Sequence, residues 1–166
     1  MAIRGSADRM RVVIVDPSYA SPVGHHQELN GALLTALHSA GHRVEVWADA
    51  AVPAAPSLRA VSSDCGYLDP RHWTDLAGSL HLAQRLRQQF EAALDGPVDV
   101  WLAHGLLPFQ QIALAQLLQQ QAPAQVLVSL MFAPSETLGG FSGADAARLH
   151  RQAALTARTA HQALAQ

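Results

Sequence analysis

The stretch from Arg11 to Asp16, with the sequence Arg-Val-Val-Ile-Val-Asp, decides the fold of this chain. Its four consecutive β-branched apolar residues, Val12 to Val15, predict a strand that is buried on both faces, as strands of parallel sheets usually are. Between His25 and Ala40, apolar residues recur at steps of three and four, which predicts a helix. Arg43 to Ala48 alternates between polar and apolar residues and predicts a second strand. The unit is therefore strand, helix, strand, with a right-handed crossover.

The rest of the chain continues this alternation of strands and helices. The predicted elements are a short strand at 58–61, a helix at 75–94 capped by Thr74, a strand at 98–103, a helix at 109–121 that opens at Pro108, a strand at 125–132, a loop at 133–143 and a helix at 144–166. This order predicts an α/β fold, a Rossmann-like three-layer sandwich with a mainly parallel sheet. The 11–16 strand should be central, between 43–48 and 98–103, because an interior strand buries both faces.

The length of the chain suits one domain, since 166 residues can bury one sizeable core. We interpret residues 1–10 as a flexible N-terminal extension, 11–143 as the Rossmann-like domain, and 144–166 as a C-terminal helix. Open parallel sheets usually continue with further strands, and this sequence stops inside a predicted helix. We therefore expect the chain to be a fragment of a longer protein.

The composition excludes several classes of function. All 11 basic residues are arginine, so a Walker P-loop and any Schiff-base chemistry that needs a lysine are excluded. The net charge of −2 gives no electrostatic basis for nucleic-acid binding. Cys65 is the single cysteine, which excludes an internal disulfide and a thiolate zinc site, and it favours a cytoplasmic location. No apolar run reaches the ~18 residues of a transmembrane segment.

Polar residues concentrate after the predicted strands, where open parallel sheets bind their ligands. Gly24 precedes a helix whose first amides are free, so an anion could bind there, or the glycine only lets the loop turn. His104 follows a predicted strand and either projects into the cleft as a hydrogen-bonding group or bonds to its own loop. Glu136, the carboxylate of the third loop, could bind a hydroxyl group or cap the next turn.

Two adjacent histidines, His25 and His26, begin the first predicted helix. Neighbouring side chains on a helix point about 100° apart, so one of them can face the cleft while the other faces solvent. For the same reason a zinc site built from this pair and His104 is not favoured, and we predict neither a metal nor a cofactor. Asp16 stands where response-regulator receivers carry their phosphoacceptor, but that chemistry needs a lysine, which this chain lacks.

These segments, taken in order, resemble the N-terminal domain of two-domain glycosyltransferases with the GT-B fold. The resemblance is to the retaining group that includes glycogen-synthase-like enzymes and mannosyltransferases. It rests on the 11–16 strand, on Gly24-His25-His26 at the head of a long helix, on the Ala-Gly-His-Arg-Val segment within 39–46, and on the 98–104 strand that ends in a histidine. These short motifs are spread over roughly residues 10–132, and the Ala-Gly-His-Arg-Val segment is the most distinctive of them.

The resemblance implies a division of labour between two domains. The N-terminal domain of the family receives the acceptor, and the C-terminal domain holds most of the nucleotide-sugar donor. Carried over to this sequence, Gly24 and His25 lie on the donor-phosphate side, and His104 and Glu136 on the acceptor or sugar side. The acceptor would be a sugar or a lipid-linked molecule, and the protein would be cytoplasmic or membrane-associated through that acceptor. Catalytic residues cannot be assigned, and this chain alone is expected to be inactive.

One departure from the family and two alternatives remain open. Many members carry a histidine after the strand that corresponds to 125–132, whereas this sequence has Leu130-Met131-Phe132-Ala133 there. A different residue supplies that contact, or this member is divergent or inactive. The alternatives are a standalone α/β binding or interaction module without catalysis, and another GT-B enzyme such as a sugar epimerase.

Overall fold

A computed structural model describes residues 9–53, 55–63, 75–121, 125–129 and 145–166. Five strands and four helices lie within these residues. In chain order they are β1 (Arg11–Val15), α1 (His25–Ser39), β2 (Arg43–Asp49), β3 (Leu58–Ser62), α2 (Leu76–Ala93), β4 (Val100–His104), α3 (Pro108–Leu118), β5 (Gln125–Ser129) and α4 (Ala146–Leu164).

The strands form one sheet in the order β3-β2-β1-β4-β5, and each neighbouring pair is parallel. The prediction of an α/β, Rossmann-like sheet is confirmed. So is the central place of β1, since Ile14 pairs with Val46 of β2 on one side and with Leu102 of β4 on the other. The side chains of Val12 to Val15 are all at most 1% exposed. An interior strand is buried on both faces, which is the reason that the sequence predicts a central place for β1.

The two faces of the sheet are covered by different helices. Val13 and Val15 face one core, which Trp47 and Trp101 fill with rings 5.2 Å apart at an angle of 82°, and which α2, α3 and α4 cover. Val12 and Ile14 face a second core, where α1 packs mainly over β1 and β2. The sheet is therefore the middle layer of three, and adjacent β1 residues point to opposite layers because strand side chains alternate.

Several element boundaries differ from those predicted, and two of them change the place of a named residue. His104 is the last residue of β4, paired with Ser129 of β5, and does not follow the strand. Helix α2 begins after Asp75 rather than Thr74, because the Asp75 side chain accepts hydrogen bonds from the backbone N–H groups of Ala77 and Gly78. The predicted end of the last strand, at 130–132, and the loop at 133–143 lie outside the described residues.

Ion pairs occupy the amino ends of the strands. The Arg11 guanidinium lies 2.6 Å from Glu45 and 2.5 Å from Asp95, and Arg59 lies 2.9 Å from the same Asp95 carboxylate. Hydrogen bonds from Arg59 and Arg11 lower the pKa of Asp95. These arginines are thus paired at the edge of the sheet opposite its carboxyl ends.

No helix among the described residues combines the length and the apolar character needed to span a bilayer.

Candidate functional site

Four polar side chains meet at the carboxyl ends of β1 and β4. Asp16 is fully buried, Asn30 and His104 are nearly so, and the His26 side chain is 13% exposed. The order of the strands reverses between β1 and β4, and at such a switch point an open α/β sheet leaves a crevice. We call these four residues, Asp16, His26, Asn30 and His104, the switch-point cluster.

The backbone explains why these side chains converge. Asp16 directly follows β1 and His104 ends β4, so two adjacent parallel strands deliver them to the same edge of the sheet. His26 and Asn30 are four residues apart on α1, and residues at that spacing share one face of a helix. That face packs over the end of β1, which brings two strand ends and one helix turn together.

Hydrogen bonds connect the cluster and assign its protons. Asn30 Nδ2 donates to Asp16 Oδ2 over 2.7 Å, so Asn30 Oδ1 is turned toward His104. His104 Nε2 lies 2.9 Å from that oxygen and must therefore carry the proton. A carboxylate only accepts, so His26 Nδ1, at 2.8 Å from the same Asp16 oxygen, also donates.

Burial sets the protonation of His104. Removal from water lowers the pKa of this imidazole, because a buried charge is costly. Asp16, whose Oδ2 lies 3.5 Å from His104 Nε2, pulls the pKa upward, while His26 and His25 lower it. Since the net shift is downward, His104 is neutral at pH 7.

The buried carboxylate of Asp16 is only half satisfied. Its Oδ1 atom is inaccessible to water and has no hydrogen-bond partner among the described residues. Burial raises the pKa of the neighbouring Tyr19 hydroxyl, and the Asp16 charge raises it further. A buried oxygen without a partner is rare and calls for an explanation, such as a bound water or ion.

Gly24 begins α1 in a conformation that other residues rarely adopt. Its φ is 87° and its ψ is −169°, a region essentially reserved for glycine. The turn into the helix therefore needs a glycine whether or not a ligand binds. No side chain caps this helix terminus, so the first-turn amides are not satisfied by a capping side chain. Both interpretations of Gly24, turn and anion site, stay compatible with its geometry.

The other predicted site residues have different outcomes. His25 is exposed, and its ring lies 4.0 Å from that of His26. His26 in turn lies 6.0 Å from the ring of His104, so the three rings run from solvent into the cluster. The structure thus puts His26 rather than His25 beside Asp16. Glu136, predicted on the acceptor side, lies outside the described residues.

Sequence reasoning missed Asp16 and Asn30 as members of the site. It considered Asp16 only as a phosphoacceptor and left open which of the two histidines faces inward. The sequence does contain a pattern that indicates these residues. The first predicted strand ends in Asp16, and the helix that follows it carries the polar residues His26 and Asn30 four positions apart, on one face. An inward-facing polar pair on an otherwise apolar stripe, beside a carboxylate, indicates a hydrogen-bonded cluster.

An apolar groove adjoins the cluster. On the α1 side of the sheet, Leu127 of β5 is exposed and Leu102 of β4 is half-buried, and the groove between them and α1 has a volume of about 410 Å³. His104 provides its polar wall. The described residues that line it are Leu29, Leu33, Leu102, Ala103, His104, Leu127 and Val128. Leu127 is 59% exposed, which is unusual for a leucine in the interior of a β-strand.

We found no match for this chain among protein-family models, curated proteins or solved structures. The geometry of the switch-point cluster and of the groove beside it is therefore the basis of the proposed function.

Proposed function

We propose that this chain is the acceptor-binding, N-terminal domain of a GT-B-fold glycosyltransferase that uses a nucleotide-sugar donor. The observation that carries the proposal is the groove that opens beside His104, over β4 and β5, next to the point between β1 and β4 where the sheet order reverses. Ligands of open α/β sheets bind in such crevices. Among the motifs that resemble this enzyme family, those on β1, at the start of α1 and on β4 lie on elements that border the crevice, whereas the Ala-Gly-His-Arg-Val segment lies at the amino end of β2, at the opposite edge of the sheet.

The lining of the groove favours one of the two acceptor classes. Apart from His104, its described side chains are apolar, and they would bury a hydrocarbon chain rather than a hydroxyl-rich sugar ring. The proposed acceptor is therefore lipid-linked, with its chain along Leu102 and Leu127 and its polar head toward His104. Such an acceptor would also bring the protein to a membrane surface.

The donor would approach from the other side of the cluster. The uncapped first turn of α1 at Gly24 suits a phosphate, and His25 is exposed next to it. Arg11 and Arg59 cannot assist there, because they are paired at the opposite edge of the sheet. Donor binding by this chain is therefore expected to be weak, with the main contacts in a second domain.

NMR titration of the isotope-labelled chain tests the proposal. Hexyl glucoside should shift the amide signals of Leu29, of 102–104 and of Leu127, while free glucose should shift them much less. A nucleotide-sugar should shift signals near Gly24 weakly. No perturbation, or perturbation away from the groove, would contradict an acceptor domain and leave a noncatalytic interaction module as the better account.

A matched pair of variants separates the donor side from nonspecific effects. His25→Ala should abolish the weak nucleotide-sugar shifts near Gly24. His38→Ala removes another exposed histidine from the last turn of the same helix and should leave them unchanged. Equal loss in both variants would mean that the histidines act only through overall charge.

A further inference from the structure

The geometry points to a divalent transition-metal site of the zinc type, formed by Asp16, His26 and His104. This inference concerns the side chains of the switch-point cluster and does not depend on sugar binding. Each of these residues offers one ligand atom, and the three ligand atoms all lie within 4.8 Å of one another. Two imidazoles and one carboxylate form a ligand set that zinc and related ions take in proteins.

The distances suit a common ion. Ligand atoms at about 2.1 Å from a tetrahedral zinc ion lie about 3.4 Å apart. Asp16 Oδ2 lies 2.8 Å from His26 Nδ1 and 3.5 Å from His104 Nε2. His26 is the one ligand at the rim of the cluster, with its side chain 13% exposed, and its Nδ1 atom would move away from Asp16 Oδ2 to reach the spacing of two ligands on one ion.

A second observation, independent of these distances, concerns the charge of the cluster. Asp16 is fully buried, and the basic groups that face it among the described residues are the imidazoles of His26 and His104, which carry a charge only when protonated. Its Oδ1 atom also lacks a hydrogen-bond partner there. Buried carboxylates are normally paired with a cation or coordinate a metal. A divalent ion would supply both the missing charge and the missing ligand for this side chain.

Metal binding competes with the hydrogen bonds of the metal-free cluster. His26 Nδ1 and His104 Nε2 each carry a proton there, and each must present a lone pair to bind an ion. The proton of each neutral ring then sits on the other ring nitrogen, and Asn30 Oδ1 loses the bond from His104. Asn30 Nδ2 can keep its bond to Asp16 and hold the carboxylate in place, as partners of metal ligands commonly do.

Three protein ligands leave a coordination position for water or for a ligand. That is the arrangement of zinc sites that act on substrates, whereas structural zinc sites are closed by four protein ligands. The open position would lie at the crevice between the strand ends, next to the apolar groove.

The test uses the full chain, treated with a chelator and then titrated with Zn²⁺ in a calorimeter. We expect one zinc ion to bind per chain. Co²⁺, used as a spectroscopic probe, should give the visible absorption of a site with nitrogen and oxygen ligands. His26→Gln and Asp16→Asn should each weaken zinc binding about tenfold or more, and circular dichroism should show that the variants fold.

His38→Gln is the matched control, since it removes an exposed histidine of the same helix and should keep the affinity of the parent chain. If Asp16→Asn fails to fold, His26→Gln decides alone, because its side chain is at the rim. Absence of stoichiometric zinc binding, or equal losses in His26→Gln and His38→Gln, would overturn the proposed site.

Discussion

The Nε2 atom of His104, at the end of β4, lies 2.9 Å from Oδ1 of Asn30 in the second turn of α1. The same amide donates to Asp16, so Asn30 links the ends of two adjacent strands through one side chain. Because Asn30 is 2% exposed, these bonds form away from water, where leaving a partner unsatisfied is costly. This link fixes the orientation of the imidazole that borders the groove.

Replacement of Asn30 should therefore destabilise the chain. Asn30→Ala removes the acceptor of His104 Nε2 and one of the two hydrogen bonds to Asp16 Oδ2, and we expect a loss of about 1–3 kcal/mol in the free energy of unfolding. Urea denaturation measures it. Thr35→Ala, an exposed position on the same helix, should change stability by less than about 0.5 kcal/mol. Similar small effects for both variants would show that the Asn30 bonds contribute little.

The buried strand makes a second prediction about stability. Ile14 is fully buried at the centre of the sheet, so Ile14→Ala should cost about 2–5 kcal/mol through lost burial and a residual cavity. Leu80→Ala, at a side chain that is 43% exposed on α2, should cost far less. A loss below about 1 kcal/mol for Ile14→Ala in denaturant titrations would contradict the central placement of β1.

The lowered pKa of His104 predicts a pH dependence of stability. Protonation of this imidazole is easier in the unfolded chain, whose histidines titrate near pH 6.5. The neutral form is thus favoured by folding, and stability should fall as the pH drops below about 6.5 and through the lower pKa of the folded state. Asp16, His26 and His25 are the charged or titratable neighbours that modulate this pKa.

The His104→Gln variant isolates that contribution. In buffer with a chelator, the free energy of unfolding of the parent chain should decrease more between about pH 7 and pH 5 than that of the variant. The comparison of slopes removes the constant cost of the substitution itself. Parallel pH profiles for the two proteins would mean that His104 titrates alike in the folded and unfolded states.

We also expect the chain alone to lack transferase turnover. The donor phosphates need cationic partners, and the arginines at the starts of β1, β2 and β3 lie at the opposite edge of the sheet from the cluster. Mass spectrometry of hexyl glucoside incubated with the chain and UDP- or GDP-sugars should show no added sugar. A glycosylated product would refute the proposal that a second domain supplies the donor site.

The sequence predicted the sheet well because its signals are local. Four β-branched residues from Val12 to Val15 are enough to specify an interior strand. In the helix that follows, apolar residues recur every three or four positions, and in the next strand polar and apolar residues alternate. The sequence predicts His104 as the first residue after β4, whereas it is the last residue of that strand and pairs with Ser129. The sequence does not distinguish a histidine that ends a strand from one that begins a loop.

The site was less predictable because it depends on which helix face meets the strand ends. The spacing of His26 and Asn30 shows that they share a face, but only packing shows that this face meets Asp16. Gly24 was open to two interpretations, and its φ of 87° shows that the turn itself requires glycine. Gly24→Val would therefore strain the backbone and is not a clean test of phosphate binding.

The central claim, an acceptor site in the groove beside His104, is tested most directly by calorimetric binding of hexyl glucoside to two surface variants. Leu127→Gln alters a groove side chain that is 59% exposed, and Val23→Gln alters a 71% exposed side chain that is not among the groove's lining residues. Neither substitution should disturb folding. We predict that Leu127→Gln weakens hexyl glucoside binding several-fold while Val23→Gln leaves it unchanged. Equal affinities in the parent chain and both variants, or no binding at all, would contradict the account.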